Sequence, residues 1–195
     1  MCARYELDEN PHYLLDRFGL TNPYQSVNMS VIRPTDQALI IGMDGKAVLS
    51  RWGFQVDWDK KPLINARSET LAEKPTFSPH LEHRCLVPAT SYFEWRNDNG
   101  VKRKNSVTPS DQVVFAMAGL VSNEGFTIIT CQPAADIAHI HGRMPVILNP
   151  ENEKGWIDAS QDFVSVAQSL TPYSRASLNF TEDAPVSPQQ GDLFH

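Results

Sequence analysis

The sequence predicts an α+β fold: one domain over residues 1–180, with a mainly antiparallel, barrel-like sheet and short helices at its periphery. Three observations lead there. Short segments of alternating or β-branched apolar residues recur along the chain, the helical segments among them are brief, and the two do not alternate in the βαβ rhythm of a parallel sheet. A chain of 195 residues can bury an ordinary core without disulfides. No internal repeat and no second domain are visible.

The elements follow in order. "NPHYLLDRFGL" reads as a short helix, with Asn10 as N-cap, Pro11 at the first helical position and Gly19 as the stop. "ALIIGMDGKAVLSRWGF" reads as a hairpin, two apolar runs around the turn signal Asp44-Gly45. "INARSETLAEK" starts extended, and Ser68 is then placed to cap a helix through Thr70, Leu71 and Ala72. "CLVPATSYFEWRNDNGVKRKNSV" predicts a strand, a corner at Pro88, a second strand and a polar turn at Asn99-Gly100. "QVVFAMAGLV" and "GFTIITCQ" are strands by alternation and branched residues. "AADIAHIHGRMPVIL" predicts a brief helix, a loop and a strand, and two short helices are expected near 150–156 and 160–169. Residues 181–195 are polar and Pro-rich and read as a flexible tail.

Composition bounds the function. Hydrophobic residues at 41% and charged residues at 21% are ordinary for a globular protein. No apolar run approaches the roughly 20 residues of a membrane span. Arg4, Glu6, Asp8 and Glu9 interrupt any signal-peptide core. Three cysteines, Cys2, Cys85 and Cys131, form an odd set without paired spacing, which fits a reducing compartment, the cytoplasm or nucleoid. The net charge of −6 argues at first against nucleic acid, but its distribution matters more. From residue 150 onward two basic residues face seven acidic ones, a balance of −5 that leaves only −1 for the rest. A basic face on the remainder is compatible with these numbers.

Several residues can carry chemistry. Removal of Met1 makes Cys2 the terminal residue, with a free α-amine beside a thiol. An α-amine has a reference pKa of about 7.7–8.0 against about 10.4 for Lys, so far more of it is free to attack a carbonyl near neutral pH. The thiol can then close a five-membered ring on the imine, or serve as an acyl-transfer nucleophile. Most free cysteines are simply small buried apolar residues, and that reading stands beside the first. Asn65 and Arg67 share a face if "INAR" is extended. There an Asn can hold an amine or a sugar hydroxyl and an Arg can grip phosphate, or both can form a plain polar strand edge. Glu94, between Phe93 and Trp95, is a candidate for general acid or base work if buried among aromatics, and has no role if it faces solvent. Trp95 is either core or a stacking platform. His139 and His141 precede Arg143; the histidines suit proton transfer and the arginine suits phosphate. A metal is not expected, because the histidines have no second ligand set nearby and the cysteines lie far apart.

Taken in order, "MC-R", "RWGF", "INARSET", "EKPTF", "RCLVPA-SYFEW", "FAMAGL", "FTIIT" and "IHGRMPVIL" resemble the SOS-response-associated peptidase family, the SRAP-domain group of abasic-site processing proteins. The likeness runs from residue 1 to about residue 157. It implies an α+β domain around a positively charged cleft for single-stranded DNA. It also implies an enzyme without cofactor whose terminal cysteine traps the ring-opened aldehyde of an abasic site as a thiazolidine crosslink. Associated lyase, crosslink-reversal and self-processing activities are implied too. By the same resemblance Cys2 is the nucleophile, Asn65 positions the amine and the lesion sugar, Glu94 assists proton transfers and His141 helps open the sugar ring. Arg4, Arg67 and Arg143 match phosphate-gripping arginines, and Trp52 and Trp95 match aromatics lining the cleft. The chain departs from the family pattern at Ala3 for Gly, Val31 for Asn, Arg33 for Ala, and Gly142 for an acidic residue.

Two other functions compete: a thiol peptidase or amidase using Cys2 and His141, and a non-covalent binder of single-stranded or modified DNA. The expected partner is single-stranded DNA carrying abasic sites, bound by a monomer with no membrane contact. The tail segment "QQGDLFH" resembles clamp-binding peptides through its Gln, Leu and Phe, which suggests a sliding-clamp or replisome contact.

Overall fold

The computed structural model describes residues 2–21 and 29–183. Strands dominate and fall into two large sheets and one two-stranded sheet. The first has five strands in the order β14-β10-β9-β1-β2, where β1 is Tyr5–Leu7, β2 Met29–Ile32, β9 Ser91–Asp98, β10 Val101–Pro109 and β14 Leu178–Glu182. The second runs β13-β12-β11-β8-β3-β4, formed by β3 (Gln37–Gly42), β4 (Ala47–Arg51), β8 (Arg84–Ala89), β11 (Phe115–Ser122), β12 (Gly125–Cys131) and β13 (Met144–Pro145). The three-residue β7 (Asn65–Arg67) lies parallel to β12, and β5 (Phe54–Val56) with β6 (Asp59–Leu63) forms a separate hairpin. All the other pairings between these strands are antiparallel, as the sequence predicts, and one isolated bridge, Trp52 to Phe126, is parallel. The described strands make two large sheets and the two-stranded β5–β6 ribbon, and no closed barrel.

Local chemistry explains the elements. Helix α1 (Pro11–Phe18) starts where Asn10 Oδ1 accepts the His12 N–H at 2.8 Å and ends at Gly19, whose φ of 62° is left-handed. The β3–β4 hairpin turns at Asp44-Gly45, and the β9–β10 hairpin turns through Asn99 and Gly100, both at positive φ. Helices α2 (Pro150–Trp156) and α3 (Phe163–Val166) sit where helices are expected. Among the described residues, no helix is long and apolar enough to cross a membrane.

Two local expectations need correction. No helix follows Ser68: its N–H donates to the Thr130 carbonyl at 2.9 Å, extending the β7 pairing, and residues 68–73 form successive turns ahead of Pro75. The corner also lies at Thr90, past Pro88. Pro88 remains in β8 because the β3 pairing covers only Leu86 and Cys85, so its missing N–H breaks no rung on that side. Thr90 N–H then donates to the Glu6 carbonyl at 2.7 Å, carrying the chain from the second sheet into the first. Strand β14 runs to Glu182, into the segment read as tail, while Met1, residues 184–195 and with them "QQGDLFH" lie outside the described residues.

The core sits between the sheets, where every residue of β8 and of β12 is buried. Trp52 ends the β4 edge against Tyr5 and Phe126, with ring centroids 5.1 and 6.4 Å away. Gly53 follows at φ 124°, and a Cβ there would lie 2.7 Å from that of Pro62. Only glycine lets the chain pass this point into the β5–β6 hairpin and back to Asn65.

Candidate active site

Strand β1 brings Cys2 to the site. It lies between β2 and β9, and the Phe93 N–H donates to the Arg4 carbonyl at 2.9 Å, so residues 2–4 continue alongside Phe93–Trp95. Cys2 is fully buried. Its sulfur faces the Arg4 carbonyl at 3.8 Å, and its own carbonyl accepts Nδ2 of Asn65 at 2.7 Å. Burial, followed by the charge of Glu94, pushes the thiol up to about 12. The short β7, clamped parallel to Ile128–Thr130, aims Asn65 at this point and buries Ala66 on its other face.

Glu94 rises from β9 and is 3% exposed. Burial raises its carboxyl above the usual range, and the positive charge available at His141 partly opposes this. The Nδ1 of His141 stands 3.9 Å from Glu94 Oε1 and 3.0 Å from the nitrogen of the Arg143 N–H. The same Nδ1 lies 3.1 Å from the Arg143 carbonyl, so it can accept from that N–H or donate to that oxygen according to its tautomer. His141 is 32% exposed on its side chain, so the pair joins a buried carboxyl to a ring that reaches water. A proton can pass between the interior and solvent through these two groups.

The arginines differ from one another. Arg4 lays its guanidinium 5.1 Å over the Trp95 ring, joining cation and aromatic in one surface. Arg67, at the end of β7, is exposed. Arg143 is engaged: Nη1 and Nη2 bind Glu69 at 2.6 and 2.9 Å, and Nη2 also reaches the Thr130 carbonyl at 2.6 Å. Arg143 in turn holds the Glu69 carboxyl below its usual range. Trp52 corrects an expectation. It is 0% exposed and donates Nε1–H to the Ile64 carbonyl at 2.9 Å, so it supports the core and offers no face to a base.

The structure therefore gathers Cys2, Asn65, Glu94 and His141, sets Arg4 and Trp95 beside them, and removes Trp52. It also presents a residue that sequence reasoning missed. Trp58, at the tip of the β5–β6 hairpin, is 70% exposed and followed by exposed Lys60 and Lys61. The signal was "DWDKK": a tryptophan bracketed by charges cannot be core. Among the described residues no cluster of three His, Cys, Asp or Glu side chains could hold a metal.

The family model described as SOS response associated peptidase (SRAP) matches residues 1–189. Abasic site processing protein YoqW of Bacillus subtilis is 35% identical, with 89% of this chain and 88% of that protein aligned. Abasic site processing protein YoaM of the same organism is 34% identical over 89% and 86%. A crystal structure of a protein from Bacteroides thetaiotaomicron superimposes with a TM-score of 0.83 at 25% identity, covering 94% of this chain and 93% of that one.

Proposed function

The chain belongs to the SOS response associated peptidase family, and from that premise we propose that it processes abasic sites in single-stranded DNA by forming a covalent thiazolidine through Cys2. The observation that carries the reading is the convergence of Cys2, Asn65, Glu94 and His141 on one point beside the core. The names of the B. subtilis relatives support the choice of lesion.

In this mechanism loss of Met1 frees the α-amine of Cys2. The amine attacks the aldehyde carbon of the ring-opened sugar and water leaves, giving an imine. The sulfur then bonds to that carbon, and the imine nitrogen takes the proton that the thiol loses. Asn65 fixes the Cys2 carbonyl and with it the direction of the amine. Glu94, whose carboxyl burial shifts towards the protonated form, supplies and recovers the protons of water loss, and His141 exchanges them with solvent. Arg4, Arg67 and Arg143 provide charge for phosphates, and Trp95 and Trp58 provide faces for bases.

A thiol peptidase would need an imidazole beside the thiol to activate it. Here the sulfur faces the Arg4 carbonyl, and the His141 ring nitrogen nearest the interior faces Arg143 and Glu94. The test is a denaturing gel of protein, shown by intact mass to lack Met1, with an oligonucleotide carrying one abasic site. A shifted band that disappears in Cys2→Ala and in Cys2→Ser is expected. An undiminished, equally stable band in either variant would sink the assignment.

A further inference from the structure

Not all the buried polar groups around Cys2 are used. Tyr5 and Tyr92 are direct partners across β1 and β9, so both side chains leave the same face of the sheet. Each is 0% exposed, and neither hydroxyl has a hydrogen-bond partner among the described residues. A buried phenol normally finds one, because an unpaired hydroxyl in the interior costs stability. Two such hydroxyls from paired residues, on strands that also deliver Cys2 and Glu94, point to an acceptor that appears only during the reaction.

The surroundings indicate which acceptor. Tyr5 is fixed edge-on against Trp52, with ring centroids 5.1 Å apart, so its hydroxyl cannot swing to the surface. Burial is the main reason both phenols resist ionisation, and the next is the same in each case: the charge that Cys2 carries as a thiolate. Cys2 is thus the ionisable group whose charge both phenols feel, and it lies on the chain that runs from Tyr5 alongside Phe93–Trp95. Among the described residues its sulfur has a long contact to a carbonyl, which can accept from a thiol and offers nothing to a thiolate.

We propose that the Tyr5 and Tyr92 hydroxyls are donors held in reserve for the Cys2 sulfur, hydrogen-bonding to it as it becomes anionic on the way to ring closure. This purpose rests on the capture reaction proposed above. When the thiol S–H proton leaves and before the C–S bond forms, the sulfur bears a full negative charge in a site that excludes water. The two O–H groups meet that charge. As the sulfur pair becomes the C–S bond, the C=N π pair moves to nitrogen, which takes up the proton, and the hydroxyls are released unchanged.

The test uses the full chain, free of Met1, as wild type, Tyr5→Phe, Tyr92→Phe and the double variant. Three quantities are measured: thermal unfolding, the pH dependence of Cys2 alkylation by iodoacetamide (located by peptide mass), and the rate of crosslinking to an abasic oligonucleotide. Phenylalanine keeps the ring and removes only an unpaired group, so unfolding temperatures should hold or rise. The alkylation midpoint should move to higher pH, and capture should slow by about 10-fold per hydroxyl, as expected for losing a hydrogen bond to a charged group. An unmoved alkylation profile in the double variant overturns the proposal, whatever happens to stability. Alkylation needs no DNA, so a shifted profile in a protein whose wild type forms no crosslink would uphold the tyrosine role and reject abasic-site capture.

Discussion

Two regions of this molecule bury charge-bearing groups, and they do so in opposite ways. At the start of β8, Arg84 is fully buried and all five of its donors are used. Nε reaches the Trp156 carbonyl at 2.7 Å, Nη1 reaches Leu81 O and Glu82 Oε2, and Nη2 reaches the Asp158 and Gln161 carbonyls. Around Cys2, by contrast, the Tyr5 and Tyr92 hydroxyls and Asn65 Oδ1 are buried without partners among the described residues, and burial shifts the thiol and the Glu94 carboxyl towards their neutral forms. A satisfied buried cation holds a fold together. Unsatisfied groups gathered at one point mark a place that is completed by something else.

The strongest way to break this comparison is Arg84→Met. If the Arg84 cage is structural, the variant leaves several buried carbonyls without donors and should lose about 3–5 kcal/mol, a fall in Tm of roughly 10 °C. Crosslinking at a temperature where the variant remains folded should be unchanged. A normal Tm would show that water replaces the guanidinium and that the cage contributes little.

The two regions were also unequally legible in the sequence. Glu94 could be singled out because its neighbours Phe93 and Trp95 implied burial, and Asn10, Asp44-Gly45 and Asn99-Gly100 declared their turns through local chemistry. Arg84 could not be found, because its carbonyl partners on Trp156, Asp158 and Gln161 lie 72, 74 and 77 residues along the chain. Trp52 lies in the core and not in the cleft, which its sequence context leaves open for a related reason. A tryptophan serves equally as core or platform, and only the Ile64 carbonyl on its Nε1 decides between them. The helix expected after Ser68 failed because a tertiary partner, Thr130, took the N–H that the helix would have organised. Tyr5 and Tyr92 became informative only through their cross-strand pairing and their lack of partners.

Glu94→Gln tests the other side of the comparison. Removing the proton-transfer group should slow capture by about 10²–10⁴-fold. Stability should move the opposite way. A carboxyl whose folded pKa is raised stabilises the fold fully only below its unfolded value, and that contribution is lost as pH rises through the folded one. The Gln variant, which cannot ionise, should therefore melt higher than wild type at pH 7, with the gap closing as pH falls towards 4.5, the carboxyl's ordinary value. A variant less stable at pH 7 would mean that ionised Glu94 is held by partners strong enough to outweigh its burial, and the contrast with Arg84 would fail.

Trp58→Ala probes the surface route into the site. Nothing in the fold depends on a ring that is 70% exposed, so the unfolding free energy should stay within about 0.5 kcal/mol of wild type. Affinity for single-stranded DNA, read by fluorescence anisotropy, should fall by about 1–3 kcal/mol if a base stacks there. Unchanged affinity would confine the interface to Arg4, Trp95 and Arg67.

Arg143 lies between the two extremes, and Glu69→Gln sharpens where the division falls. The two terminal nitrogens of Arg143 are engaged as in the Arg84 cage, yet its Nε is buried without a partner among the described residues, as in the Cys2 site. The Glu69 side chain is 42% exposed, so the ion pair is screened and its loss should cost less than about 1 kcal/mol. That cost should appear above pH 4.5, the ordinary value of the Glu69 carboxyl, and vanish as pH falls through the lowered folded value. Binding separates the two natures of Arg143. If Glu69 merely occupies a guanidinium that would otherwise meet phosphate, the variant should bind single-stranded DNA more tightly, with a salt dependence steeper by about 0.7 in log K per log unit of salt. If binding weakens instead, Glu69 aims Arg143 at the strand, and the carboxylate belongs to the site as much as the arginine does.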